Sequence, residues 1–193
     1  GQKGDYSIIN PNDHVNCGQS TNDVIPTAGK MTSLRLLKNL KKELLRLHKA
    51  LTAKASEFNH VIKMGRTQMQ DAVPIRLGQE FHAYSVAIMR DIRRMDKAMD
   101  EMRTLNMGGT AVGTGINADE MYLKRIVPNL SEVSDMDFVQ AFDLIDATQN
   151  LDPFVSVSGA IKACAVTLSK IANDLRLMSS GPKTGFGEIN LPA

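Results

Sequence analysis

Leu37, Leu44, Leu51 and Phe58 fall seven residues apart, and Leu40 and Leu47 repeat the interval beside them. A heptad interval keeps apolar side chains on one side of a helix, whereas a half-buried strand would alternate them at every second residue. The spacing predicts a long amphipathic helix from Thr27 to about Phe58, with Asp23 and Pro26 as its start signals. It recurs from Pro74 to about Leu105, where Phe81, Ile88, Met95 and Met102 form one line and Tyr84, Ile92 and Met99 a second, with Pro74 in the first turn. From about Pro153 to Met178 the lines are Ile161, Leu168, Leu175 and Cys164, Ile171, Met178. Each stripe is read as core. Between them lie a candidate helix from Asp119 to Val127 that Pro128 disturbs, and a stretch from Val133 to Leu144 whose helical and irregular readings both stand. With no strand-rich segment and no internal repeat, the expected fold class is all-α, a long-helix bundle.

A chain of 193 residues can bury a substantial core. Its 23 basic and 21 acidic residues nearly cancel, which argues against the broad basic field that nucleic-acid binding uses. There is no uninterrupted apolar run near the roughly 18 residues of a membrane span, and no signal segment opens the chain, so the reading is soluble, cytoplasmic and without a membrane partner. Cys17 and Cys164 are the only cysteines and are far apart, which points away from a disulfide framework and toward a reducing compartment. The opening Gly1 and the closing NLPA read as the ends of a piece of something longer.

Two polar stretches carry more chemistry than a connection requires: CGQSTND at 17–23 and GRTQMQDA at 65–72. Each is read as lying directly before a long helix, where unpaired N–H groups and the positive helix end favour a carboxylate or phosphate. Ser20, Thr21, Asn22, Thr67 and Gln68 add side-chain donors. One N-cap would need one such residue, not four. GGTAVGTGIN at 108–117 has four glycines but follows a helix and lacks the GK[ST] ending of a phosphate loop, so it reads as a tight connection between helices. Among His14, His48, His60 and His82, the sole suggestive spacing is Glu57 with His60, and one such pair falls short of a bundle metal site. No metal is expected.

A helix from 27 to 58 would be about 45 to 50 Å long at 1.5 Å per residue. One small ligand then cannot touch both Asn22 and Thr67 of one chain unless that helix breaks. Two sites, or one site shared between the subunits of a symmetric helical oligomer, are the remaining options, and the second is favoured.

NPNDHVN at 10–16, QSTND at 19–23, GRTQMQDAVPIRLGQE at 65–80, GGTAVGTGIN and NDLRLMSSGPKTGFGEINLPA follow one another in an order that resembles the aspartase/fumarase superfamily over essentially the whole chain. Fumarases usually have His-Pro where this chain has Asn10-Pro11, and a catalytic His in place of Gln68, so both departures favour the aspartase branch. The resemblance implies elimination of ammonia from L-aspartate to give fumarate, no cofactor, and a homotetramer whose sites are each built from three subunits; divalent-cation activation stays open. It makes residues 1–193 the central helical-bundle domain. The catalytic base is expected on a signature loop after Ala193, and a further Thr-bearing loop before Gly1. By match to the family's motifs, Ser20 and Thr21 serve the carboxylate that gains charge, Asn22 the amino group and Thr67 the other carboxylate, with Gln68 orienting one of them. Asn12 and Asp13 match a secondary anion site, against a simpler reading as turn and cap. The competing expectations are a class II type fumarase and a catalytically silent helical oligomerisation module.

Overall fold

The computed structural model describes residues 1–192. Five helices carry the fold: α1 (Thr21–Glu57), α2 (Leu77–Met102), α3 (Glu120–Ser134), α4 (Leu144–Gln149) and α5 (Asp152–Met178). Strands β1 (Ile62–Thr67) and β2 (Gln70–Arg76) form an antiparallel hairpin, and two-residue strands β3 (Thr104–Leu105) and β4 (Val139–Gln140) pair in parallel. The fold class is all-α with these small β additions, as expected. The chain divides into two compact units, Gly1–Leu37 with Lys97–Val157, and Lys38–Asp96 with Ser158 onward.

The heptad lines are the core. In the first unit Leu34 and Leu37 of α1, Met102 of α2 and Val127 of α3 are buried. In the second, Leu44 and Leu51 of α1, Ile88 and Met95 of α2, and Cys164 and Ile171 of α5 are buried. Burying one such side chain contributes about 1.5 to 3 kcal/mol, so these lines outweigh any propensity term. The stripe Ile161 and Leu168 of α5 behaves differently, being 41% and 37% exposed. α5 is also long and apolar enough to cross a membrane by length and composition, with 22% of the qualifying stretch buried. It is not an uninterrupted apolar run, since Ser, Thr and Lys are scattered through it; only its average reaches the range of a span.

Helix boundaries differ from expectation at both prolines. α1 begins at Thr21, six residues before Thr27, and Pro26 lies inside it. Pro26 has no N–H for the carbonyl of Asn22, but the Asn106 side-chain amide donates to that oxygen at 3.0 Å. Likewise Pro128 sits within α3 rather than ending it. α3 is held at its start by Asp119, whose carboxylate accepts from the N–H groups of Met121 and Tyr122, and ends at Asp135 in a left-handed conformation. Residues 135–143 are irregular apart from β4.

The largest departure is at 62–76, where a hairpin replaces the expected loop and first helical turn. Gln68 and Met69 both have positive φ, 52° and 63°, the backbone of a two-residue turn whose twist matches the strands. Pro74 is therefore a strand residue, opposite Met64, and α2 starts three residues later. The N–H groups of Leu77 and Gly78 are taken by the carbonyls of Val61 and Phe58, and that of Arg76 by Gln79 Oε1. A Cβ at Gly78 would lie 2.3 Å from the Ala55 carbonyl, so only glycine permits this approach.

Candidate functional site

In the first unit, the start of α1 is a capped turn with side chains to spare. Ser20 Oγ accepts from the Asn22 N–H at 3.2 Å, and Asp23 Oδ1 accepts from the Ser20 N–H at 2.9 Å, a reciprocal cap. Asp23 is fully buried, and its second oxygen accepts from the N–H groups of Gly108 and Thr110 at 3.3 and 3.0 Å. One carboxylate thereby joins the α1 start to the glycine-rich loop, which gives 108–117 a place beside Ser20, Thr21 and Asn22. Asn22 Nδ2 donates to the Ala111 carbonyl at 2.7 Å, which fixes the amide and leaves Oδ1 as an acceptor. Thr21 and Asn22 are exposed and Ser20 is half-buried. Below them, burial pushes the Lys30 ammonium pKa down, partly opposed by Asp152, and Lys30 Nζ donates to the Thr104 carbonyl at 2.6 Å.

Thr67 and Gln68 stand in the second unit, exposed at the tip of the β1–β2 hairpin. Their place is not a helix start, so the dipole argument does not reach them: Thr67 lies ten residues before α2, whose first N–H groups are occupied. What the hairpin provides is position. Arg66, next to Thr67, donates to both oxygens of Glu188 at 2.5 and 2.9 Å, and its guanidinium lies 4.3 Å from the Phe186 ring centre. Lys63 bridges Glu188 at 2.9 Å and both oxygens of Glu80 at 3.1 Å. The Arg66 hydrogen bonds hold the Glu188 carboxyl below its ordinary range despite its burial. Beside these groups, Arg66, Glu80, Tyr84, Lys170 and Asp174 help line a cavity of about 230 Å³. Tyr84 donates its hydroxyl to Asp174 at 2.9 Å, and burial raises its pKa.

Asn12 and Asp13 sit in one wide helical turn, Pro11–Val15, and both of their N–H groups are taken by Asn10 Oδ1 at 2.8 and 3.1 Å. Two of the four histidines meet backbone groups: His14 Nδ1 accepts from the Asn10 N–H at 2.9 Å, and His48 Nδ1 lies 3.0 Å from the Ser85 carbonyl. No group of three or more metal-ligating side chains occurs among the described residues. Arg66, Lys63, Glu188, Asn106 and the organising part of Asp23 were not singled out by motif reading. Arg66 lies inside a quoted motif, but nothing in the spacing joins it to a carboxylate 122 residues away.

A protein-family model described as Lyase matches residues 3–193. The aspartate ammonia-lyase of Bacillus subtilis is 54% identical over 192 residues, which is 100% of this chain and 40% of that relative. The chain therefore spans about 40% of the length of the curated relatives it matches. A crystal structure titled fumarate lyase:delta crystallin, from Brucella melitensis bound to cobalt, superposes with a TM-score of 0.95 at 48% identity, covering 98% of this chain and 41% of that one. A class II fumarase from Schistosoma mansoni gives 0.80 at 34% identity, covering 92% and 40%. With that match over nearly its full length, the chain belongs to this lyase family, within the aspartase/fumarase superfamily.

Proposed function

We propose that the complete protein is an aspartate ammonia-lyase. It removes a proton from the carbon beside one carboxylate of L-aspartate, breaks the neighbouring C–N bond and releases ammonia and fumarate. The observation that carries this reading is the state of Asn22. Its Nδ2 is committed to Ala111, so Oδ1 is the group offered outward, and an ammonium, which has only donors, needs such an acceptor. The likeness to the Bacillus subtilis enzyme adds to it.

Proton removal loads negative charge on the adjacent carboxylate, and preorganised donors aimed at that charge lower the barrier. Ser20 suits this because its Oγ already accepts from Asn22 and its O–H is left to donate. Thr21 adds a hydroxyl and stands at the positive end of α1. Thr67 takes the other carboxylate, and Gln68 orients it. The base comes from a segment outside the 193 residues. No cofactor or metal enters the scheme, and Asn12 and Asp13 are left as a turn rather than an anion site.

Helix α1 is 37 residues long, about 55 Å at 1.5 Å per residue, with Asn22 in its first turn and Thr67 ten residues beyond its last residue in sequence. This supports a site shared between subunits, in a homotetramer of helices. The exposed Ile161 and Leu168 of α5 fit a second copy better than lipid, because Lys162 between them would cost about 2.5 to 3.5 kcal/mol at a bilayer centre. Two unpaired cysteines suit the cytoplasm.

The test is direct. The complete protein, given L-aspartate and separately malate, is expected to form fumarate and ammonia from the first. Fumarate from malate alone would transfer the reading to a class II type fumarase, which the Schistosoma mansoni likeness favours as the second choice. For the shared site, inactive Asn22→Ala and Thr67→Ala proteins are mixed under subunit exchange. Regained activity supports it, and none at all removes it.

A further inference from the structure

Two-stranded hairpins have little stability of their own, so the position of an exposed tip depends on what holds the strands behind it. Here the tip also carries adjacent non-glycine residues, Gln68 and Met69, in left-handed backbone, a conformation that crowds Cβ against the chain. Something must hold it. Arg66, one residue from Thr67, is gripped by Glu188 in a two-point bond, and Lys63 of the same strand is gripped by Glu188 and Glu80. The side chains are 7% (Lys63), 15% (Arg66) and 18% (Glu188) exposed, so losing Glu188 would leave Arg66 buried without its ion-pair partner and Lys63 with Glu80 alone.

Glu188 is itself fixed. Its N–H donates to the Met178 carbonyl at 2.8 Å, that of Gly187 to the Ser180 carbonyl at 2.8 Å, and that of Phe186 to Ser180 Oγ at 3.1 Å. A Cβ at Gly185 would come within 2.3 Å of the Ser180 backbone, so this fold-back onto the end of α5 needs glycine there. A continuous path of short bonds therefore runs from α5 through Glu188 to Arg66 and the tip.

We propose that Glu188 is a positioning residue: by clamping Arg66 and Lys63 it holds the hairpin tip where Thr67 and Gln68 meet a substrate carboxylate. This rests on the lyase reading above. Glu188 does not touch substrate and acts through Arg66. The clamp also ties substrate grip at the tip to the segment 186–188, so a shift in one moves the other.

The test uses Glu188→Gln and the charge-exchanged pair Arg66→Glu with Glu188→Arg in the complete protein. A misplacement near 1 Å costs on the order of 100-fold, so Glu188→Gln should raise KM for L-aspartate about 10- to 100-fold with kcat falling less, and weaken inhibition by succinate in parallel. The exchanged pair should recover part of both. A merely structural role would lower Tm and leave KM alone. KM within twofold of wild type in assembled Glu188→Gln overturns the proposal. If the wild-type protein does not act on aspartate, the lyase reading fails first, and amide exchange at Gln68, Met69 and Gln70 then decides the clamp: about tenfold faster in Glu188→Gln supports it, and an unchanged rate overturns it.

Discussion

The side-chain amide of Asn106 donates to the carbonyl of Asn22 at 3.0 Å, the acceptor that Pro26 leaves without a helical N–H. A residue from the loop after α2 thus completes the first turns of α1, at the residue proposed to hold the substrate amino group. Removing the Asn106 amide should cost about 1 to 3 kcal/mol by leaving that carbonyl unpaired. In a Pro26→Ala background, where the helix supplies its own donor, Asn106→Ala should cost less by about 1 kcal/mol. Urea denaturation of the four proteins measures this, and equal costs in both backgrounds would remove the link.

Asp23 is the second tie to that loop. Asp23→Ala strips a partner from the N–H groups of Ser20, Gly108 and Thr110, and should lower stability by about 4 kcal/mol or more, as three bonds to a charged acceptor at about 1.5 kcal/mol or more each imply. Turnover should fall with it, because Asn22 rests on Ala111 of the same loop. Retained turnover in a protein whose melting temperature has dropped would separate the loop from the site.

Thr67 stands at the tip with its hydroxyl free for a ligand. Thr67→Val in the complete protein should cut kcat/KM for L-aspartate by about 100-fold, the scale of one lost transition-state donor, with assembly unchanged by sedimentation. An unaltered rate would take Thr67 out of the site.

The tip turn should show a conflict between stability and function. Met69→Gly relieves one left-handed residue and, after the extra chain entropy of glycine, should stabilise by about 0.5 to 1 kcal/mol. Gln68→Asn should be similarly tolerated by the turn yet reduce activity, since the amide is drawn back by one methylene. Paired thermal melts and rates test this; a destabilised Met69→Gly would count against a steric cost at that position of the turn.

The Glu188 carboxyl is held below its usual value of 4.5, first by the Arg66 hydrogen bonds and then by Lys63, which also faces Glu80 of α2. A lowered folded-state pKa adds stability that is complete above the unfolded value and is lost as pH falls through the folded one. The wild type should therefore lose stability below about pH 4.5 more steeply than Glu188→Gln. Acid denaturation curves of parallel slope would contradict that coupling.

How much of this was legible varies by residue. The seven-residue intervals through Leu37, Leu44 and Leu51, through Ile88, Met95 and Met102, and through Cys164, Ile171 and Met178 pointed to the buried sides of three helices, and α5 begins within one residue of the place its pattern suggests. Ser20, Thr21 and Asn22 were legible because polar surplus beside a helix start is a local signal. The hairpin was not: Gly65 lies at an irregularity in the register, Pro74 resembles a helix start, and the outward residues Ile62, Met64 and Val73 hide the alternation.

The sequence by itself determined the three long helices, one buried line on each and the residue types available to a site, because periodicity and capping act between neighbours a few residues apart. Tertiary structure decided that Pro26 could lie inside a helix, that 62–76 would be a hairpin, and that Arg66 would meet Glu188. Each of these depends on a partner supplied from a distant part of the chain, whether the Asn106 amide, the carbonyls of Val61 and Phe58 that take the first N–H groups of α2, or a carboxylate 122 residues on. A buried polar group without such a partner is costly, so the packed chain selects the backbone that supplies one, and no local pattern records where it comes from.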